Sequence, residues 1–203
     1  MLVGNSFPFR RPPIPIELIR AISELANLVV LDHELSYSHQ DSIEVRAHGA
    51  GVASKLWFTS EPFNRIQIMH IAGVQVLTKS HDQGWASRRD QGSWTWFDMA
   101  VLPFPLASAS QREAESGVDA LHAQATTDTV TWRQSHYNPI ASRPARWLNG
   151  PVVTIDDVMW DGVQEGQLYV IAVRANAQYA GWANYGEEAQ VMVWKYFEPV
   201  VEL

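Results

Sequence analysis

From Ser42 onward this chain is written in short runs of alternating polar and apolar residues separated by turn residues: SIEVRAH, KLWFTS, RIQIMHI, VQVLTK, SWTWFDMAV, DTVTWRQ, PVVTI, QLYVIAVRA and AQVMVWKYF. A period of two puts successive side chains on opposite faces of an extended chain, so these runs read as antiparallel strands with one buried face. A parallel sheet would require a helix after most strands, and the sequence offers a single helical pattern. That pattern places Leu18, Ile19, Ile22, Leu25, Ala26 and Val29 at helical spacing behind Pro15, which suits a first turn, and predicts an amphipathic helix over residues 15–28. Its apolar face needs a partner, expected to be one face or end of the sheets. The expected fold is mainly all-β: an antiparallel β-sandwich or jelly roll with a short N-terminal amphipathic helix.

The chain has 203 residues, 46% of them hydrophobic and 18% charged, enough for one sizeable core and short for two. Residues 1–14 read as an extended lead, because Pro12 and Pro13 lack amide donors, and residues 15–203 as a single domain. The polar, small-residue segment 107–128 reads as a long loop. Within the domain, VLTKSHDQGWAS from Val76 aligns without a gap on VRANAQYAGWAN from Val173, matching Val, Gly, Trp and Ala. Each copy lies between a strand-like run and a Trp-bearing run, around residues 65–101 and 167–197, which implies two strand–loop–strand units in a pseudo-symmetric sandwich. The shared Gly–Trp is then architectural. His81 and Asp82, replaced by Gln178 and Tyr179 in the second copy, are where function would separate the two.

Charge and motif content exclude several functions. A formal charge of -7 with scattered basic residues, apart from Arg10-Arg11 and Arg88-Arg89, is unsuited to phosphate binding and so to nucleic acid. Without cysteine there is no disulfide framework or thiolate chemistry, which fits a reducing compartment. No apolar run approaches a membrane span, and the prolines and paired arginines near the N-terminus interrupt any export signal, so a cytoplasmic protein is expected. Zinc, phosphate-loop, nucleophile-elbow and dinucleotide motifs are missing, so neither metal nor cofactor is expected. His33-Glu34 with His39 comes nearest to a ligand set and reads as a surface hairpin.

The stretch SHDQGWASRRDQGSWTWFD concentrates the candidate chemistry. His81 beside Asp82 suggests an acid/base pair, since an imidazole titrates near neutrality and a carboxylate can fix its tautomer, although neighbouring side chains on an extended chain diverge. Gly84 opens a backbone conformation closed to bulkier residues, Trp85 can fold back as an anchor, and Gln83, Arg88, Arg89 and Asp90 form a polar rim. Trp94 and Trp96 share one face of the next strand and Thr95 and Phe97 the other; the indoles line a cavity or fill the core. In TWRQSHYNPIASRPARW, which offers Trp132, Arg133, His136, Tyr137, Asn138, Arg143 and Arg146, the Asn138-Pro139 turn brings His136 and Tyr137 to a sheet end, where they can complete a pocket with the first Gly–Trp loop.

The segments LWFTSEPF, SHDQGWASRRDQGSWTWFD, SHYNPIASR and AGWANYGEEAQVMVW resemble an uncharacterised fungal protein family that shares an SHDQGW loop, a WTWF strand and a GWxNY segment, over roughly residues 56–195. The resemblance implies a β-rich fold and a fungal-like origin, and brings no activity or catalytic residues with it.

Two functions fit these residues. The first is a binding module whose Trp-rich pocket or edge receives a small organic or carbohydrate ligand, through Gln83, Trp85, Arg89, Asp90, Trp94, Trp96, Trp132, Tyr137, Asn138, Tyr179 and Trp182: indole faces cover C–H surfaces while polar groups satisfy hydroxyls. The second is a cofactor-independent cyclase, isomerase or lyase (a dehydratase, for example) acting on an apolar secondary metabolite, with His81, Asp82, Arg88 and His136 moving a proton or steadying charge. Exposed aromatics also suit a protein interface, and a homo-oligomer is compatible with the sequence.

Overall fold

The computed structural model describes residues 14–87, 90, 92–104 and 130–198. Arg88, Arg89, most of the expected lead and the loop at 107–128 lie outside the described residues. The chain forms two packed antiparallel sheets with a short N-terminal helix, the sandwich expected from the alternating runs. In chain order the elements are α1 (Ile16–Leu25), β1 (Val29–His39), β2 (Ile43–Arg46), β3 (Val52–Thr59), β4 (Phe63–Asn64), α2 (Arg65–His70), β5 (Ile71–Asp82), β6 (Thr95–Phe104), β7 (Arg133–Tyr137), β8 (Arg146–Thr154), β9 (Leu168–Gln178) and β10 (Ala183–Tyr196). The first sheet has the order β1-β10-β5-β8 with β2 on β10, and the second β3-β9-β6-β7 with β4 on β9. No helix among the described residues is long and apolar enough to cross a membrane.

Three local expectations change. RIQIMHI is α2 rather than a strand, because a capping box overrides its alternation: Asn64 Oδ1 accepts from the Gln67 amide at 3.0 Å and Gln67 Oε1 from the Asn64 amide at 2.9 Å. Residues 29–39 are an edge strand, not a helix end followed by a hairpin. Asp32 Oδ1 accepts from the amides of Glu34 and Leu35, and the register slips between Asp32 and Tyr37, so the strand carries no clean period of two. The helix stops at Leu25, where Asn27 takes a left-handed φ of 48° and the Leu28 amide donates to the Ser23 carbonyl; Leu18, Ile22 and Leu25 stay exposed instead of packing on a sheet.

The two repeat units occupy the centre. β5 lies in the first sheet and β6 in the second, whereas β9 lies in the second and β10 in the first. β5 pairs with β10 and β6 with β9. Both corners turn on a glycine with positive φ, Gly84 at 83° and Gly181 at 92°.

Between the sheets, Val74, Val76, Met99, Ile171, Val173, Val191 and Val193 form a dry core, each side chain contributing ~1.5–3 kcal/mol by leaving water. Toward the corners the space is filled by rings: Trp57 packs on Phe58 and Phe97, its indole N–H donates to the Asp41 carbonyl, and its ring crosses Gly186 of β10. A Cβ at Gly186 would lie 2.7 Å from two ring carbons of Trp57. We expect Gly186→Ala to destabilise the chain by about 1–3 kcal/mol in urea unfolding, with much of that cost gone when Trp57 is also shortened to Leu. Additive losses in the double variant would show that the ring does not fill this space.

Candidate functional site

The inward positions of β5 run Val74, Val76, Thr78, Ser80, Asp82, all buried. The apolar core therefore gives way, on the same face of the same strand, to a polar seam that reaches the Gly–Trp corners. Its centre is Asn138, immediately after β7 and 1% exposed. Asn138 Oδ1 accepts from Ser80 Oγ at 2.7 Å, and Nδ2 donates to Asn184 Oδ1 at 2.7 Å and to Thr95 Oγ1 at 3.1 Å. Asn184 Nδ2 in turn donates to the carbonyls of Trp96 and Asn176, at 2.9 and 3.1 Å. Ser80 and Asn184 come from the first sheet, Thr95 and Asn176 from the second, so the seam bolts the two together.

Every proton in this chain of contacts has a direction. A carbonyl oxygen only accepts, so Asn184 presents its NH2 to Trp96 and Asn176 and its Oδ1 to Asn138. Ser80 spends its hydrogen on Asn138, which makes Thr78 the donor in the 2.7 Å contact with Ser80. Thr78 must then accept from His136 Nε2 at 2.8 Å, and His136 Nδ1 accepts from Ser135 Oγ at 2.8 Å. His136 therefore carries a hydrogen on Nε2. Burial holds its pKa down to about 4, which keeps the ring neutral and leaves Nδ1 to accept from Ser135.

Asp82 closes the seam at the corner. Its Oδ1 accepts from the amides of Gly84 and Ser142, at 2.7 and 2.8 Å, and its Oδ2 from Ala141 at 2.6 Å. The carboxylate ties the first Gly–Trp loop to the turn after Asn138. It does not meet the His81 ring, which points to the opposite face of β5 and stacks on Tyr185 with centroids 4.9 Å apart. His81 Nδ1 contacts the Asp82 carbonyl at 2.6 Å and therefore carries the hydrogen, so the backbone of Asp82, not its side chain, fixes the tautomer.

Above this base the two Gly–Trp loops meet. Gln83 Nε2 donates to the Trp85 carbonyl at 2.6 Å while its Oε1 accepts from the Ala183 amide, joining one loop to the other. The Trp85 ring lies against Gly181, where a Cβ would meet it only in ordinary contact at 3.5 Å, so the glycine there serves the positive φ; a Cβ at Gly84 would run into the Arg143 side chain. Trp85 remains 53% exposed. Tyr179, with φ 67° and 40% exposed, meets Trp94 edge to face at 4.7 Å. Trp182 is half-buried in the same loop as Tyr179, and Asp90 is exposed beyond Trp85.

The expected site residues thus divide among four environments. Gln83, Trp85, Trp94, Tyr179 and Trp182 gather at the corners, with Asp82 beneath them. His136 and Asn138 are inside the seam, and His81 is on the outer face of the first sheet. Trp96, Trp132 and Tyr137 are on the outer face of the second, where Trp96 and Tyr137 pair at 6.0 Å and Arg174 lies 4.1 Å over Trp132. Trp94 and Trp96 are half-buried; the core positions of their strand belong to Phe97 and Met99. Sequence reasoning passed over Thr78, Ser80, Thr95, Asn176 and Asn184. It also passed over Asp98, which burial raises above the usual carboxylate range against the pull of Arg174 at 2.9 Å. The period-two series ending in Thr78, Ser80 and Asp82 was the available signal.

No protein-family model matches the chain, and no curated protein sequence is significantly similar to it.

Between the ordinary histidine pKa of 6.5 and about 4, the unfolded chain binds a proton that folded His136 resists. Stability contributed by neutral His136 is complete above pH 6.5 and is lost as pH falls toward 4, by up to on the order of 3 kcal/mol. We expect urea unfolding of wild type and His136→Gln to show that difference in slope over this window. Parallel pH profiles for the two proteins would contradict the assignment.

Proposed function

We propose that this chain is a binding module that holds a small organic or carbohydrate ligand against the aromatic platform of the paired Gly–Trp corners. The observation that carries this reading is the Trp85 indole, half exposed yet seated on Gly181 of the opposite loop. An exposed ring fixed beforehand loses little conformational freedom when a ligand covers it, so more of the contact energy appears as affinity. Tyr179 supports the same reading: a non-glycine residue with φ 67° stores strain, and such positions cluster at functional sites. An exposed indole and an exposed phenol at the paired corners suit a sugar ring, whose C–H face covers aromatic carbon.

Proton-transfer chemistry has less support. The carboxylate of Asp82 is occupied by three backbone amides, His81 faces away from it, and His136 lies between the sheets. These groups converge on no common point.

Titration of tryptophan fluorescence with mono- and oligosaccharides and aromatic metabolites tests the proposal. Saturable quenching is expected for at least one ligand class, weakened about tenfold or more in Trp85→Ala with the melting temperature unchanged. A panel that alters neither fluorescence nor melting temperature, or binding indifferent to Trp85→Ala, would remove the platform's role.

A further inference from the structure

At the end of the sandwich away from the Gly–Trp corners, two apolar surfaces are left uncovered by the other described residues. The first is the stripe Leu18, Ile22, Leu25 on α1, exposed by 54%, 54% and 89% and spaced i, i+4, i+7 on one helix face. The second is a groove of about 550 Å³ between α2 and the end of β10, lined by Ile66, Met69, Tyr196 and Phe197 together with Asn27 and the His70–Glu198 pair. Ile66 and Met69 are each 70% exposed. The surfaces adjoin: Val29 pairs with Tyr196, and the Phe197 amide donates to the Leu28 carbonyl at 2.9 Å.

We propose that a second copy of this chain covers both, each copy laying the α1 stripe in the α2–β10 groove of the other. An amphipathic helix with anchors at this spacing is a standard occupant of an apolar groove. Because helix and groove sit at the same end of one chain, the exchange is reciprocal and closes on a two-fold axis without leading to a filament. The area suffices. The exposed apolar side chains of α1, its connection to β1, the start of β1, α2 and the end of β10 present on the order of 1,000 Å² per copy, against about 800 Å² per partner in stable complexes.

The surroundings fit an interface of this kind. The His70–Glu198 pair lies among the apolar side chains of the groove, and Arg65 and Lys195, each ion-paired, are the chain neighbours of its lining residues Ile66 and Tyr196. Asn27 and the Leu28–Ser23 hydrogen bond fix the angle at which α1 leaves β1, so the helix is already aimed. Charge argues against a lipid surface as the occupant. Interfacial helices carry basic polar faces, whereas α1 has Glu17 and Glu24 against Arg20 in a chain of net charge -7.

The test is sedimentation velocity of the full chain, with two substitutions at exposed positions that should leave folding intact by circular dichroism. Wild type is expected to sediment as a dimer at micromolar concentration, and Ile22→Glu, which damages the helix, and Met69→Glu, which damages the groove, each to weaken self-association about tenfold or more. Mixing the two variants is decisive. Each supplies the surface the other lacks, so one intact helix-in-groove contact should return and a heterodimer should form more tightly than either variant alone associates. A monomeric wild type, a dimer unaffected by both substitutions, a mixture without rescue, or a monomer recovered on phosphatidylcholine or phosphatidylserine vesicles would each overturn the proposal.

Discussion

A buried primary amide has to satisfy a carbonyl and two N–H groups without water, and in this sandwich the amide of Asn138 does so by joining both sheets. An unsatisfied amide in that position would cost about 1–3 kcal/mol, so the strands around it have little freedom to slide. Ser80, Thr95 and Asn184 are held at one spacing by a single side chain. The carbonyls of Trp96 and Asn176 set its orientation through Asn184, and the same polarity runs out through Thr78 to His136. An apolar core accepts many packings of similar energy; a seam of directed hydrogen bonds accepts far fewer. The seam therefore aligns the sheets at the end where the corners must meet, while the valine-rich half of the core supplies most of the burial.

The consequence reaches the surface through Asp82. Three backbone amides from two loops converge on its carboxylate, and such charge-assisted bonds are stronger than neutral ones. The loop carrying Trp85 is fixed from below by Asp82 and from the side by Gln83, and the ring rests against Gly181. Rigid aromatic display thus follows from the buried polar residues. The two repeat copies have different parts in it: the first supplies the acid that locks the loops, and the second places Tyr179, with its left-handed backbone, at the equivalent position.

Much of the architecture was legible from periodicity alone. The runs around Val74 and Val191 alternate because one face of each strand is buried, those around Phe97 and Val170 are strand-like runs buried on both faces, and the two Gly–Trp corners each turn on a glycine with positive φ. The failures have local causes. Asn64 and Gln67 cap each other and turn RIQIMHI into a helix, and the Asp32 side chain bends β1 enough to hide its alternation. The candidate site was legible by residue type and only partly by place. Trp85, Trp94, Tyr179 and Trp182 do gather, but His81 and Asp82 separate because adjacent positions of a strand face opposite ways. Asn138 stood among the ligand-binding candidates, yet it is the centre of the seam. No rule of sequence distance brings Asn138 to Ser80, 58 residues away, and Asn184, 46 residues away, because that proximity exists only once the sheets have packed.

Native-state hydrogen exchange at the amides of Gly84, Ala141 and Ser142 examines this account most directly. All three belong to loops, where amides ordinarily exchange by local opening at little cost. If Asp82 and the seam beneath it hold the corners as rigidly as the geometry implies, these amides will be protected to within about tenfold of the core amides of β5. Exchange at the rate of an open loop would show that the corners move independently of the buried network, and the link between the seam and the aromatic platform would fail.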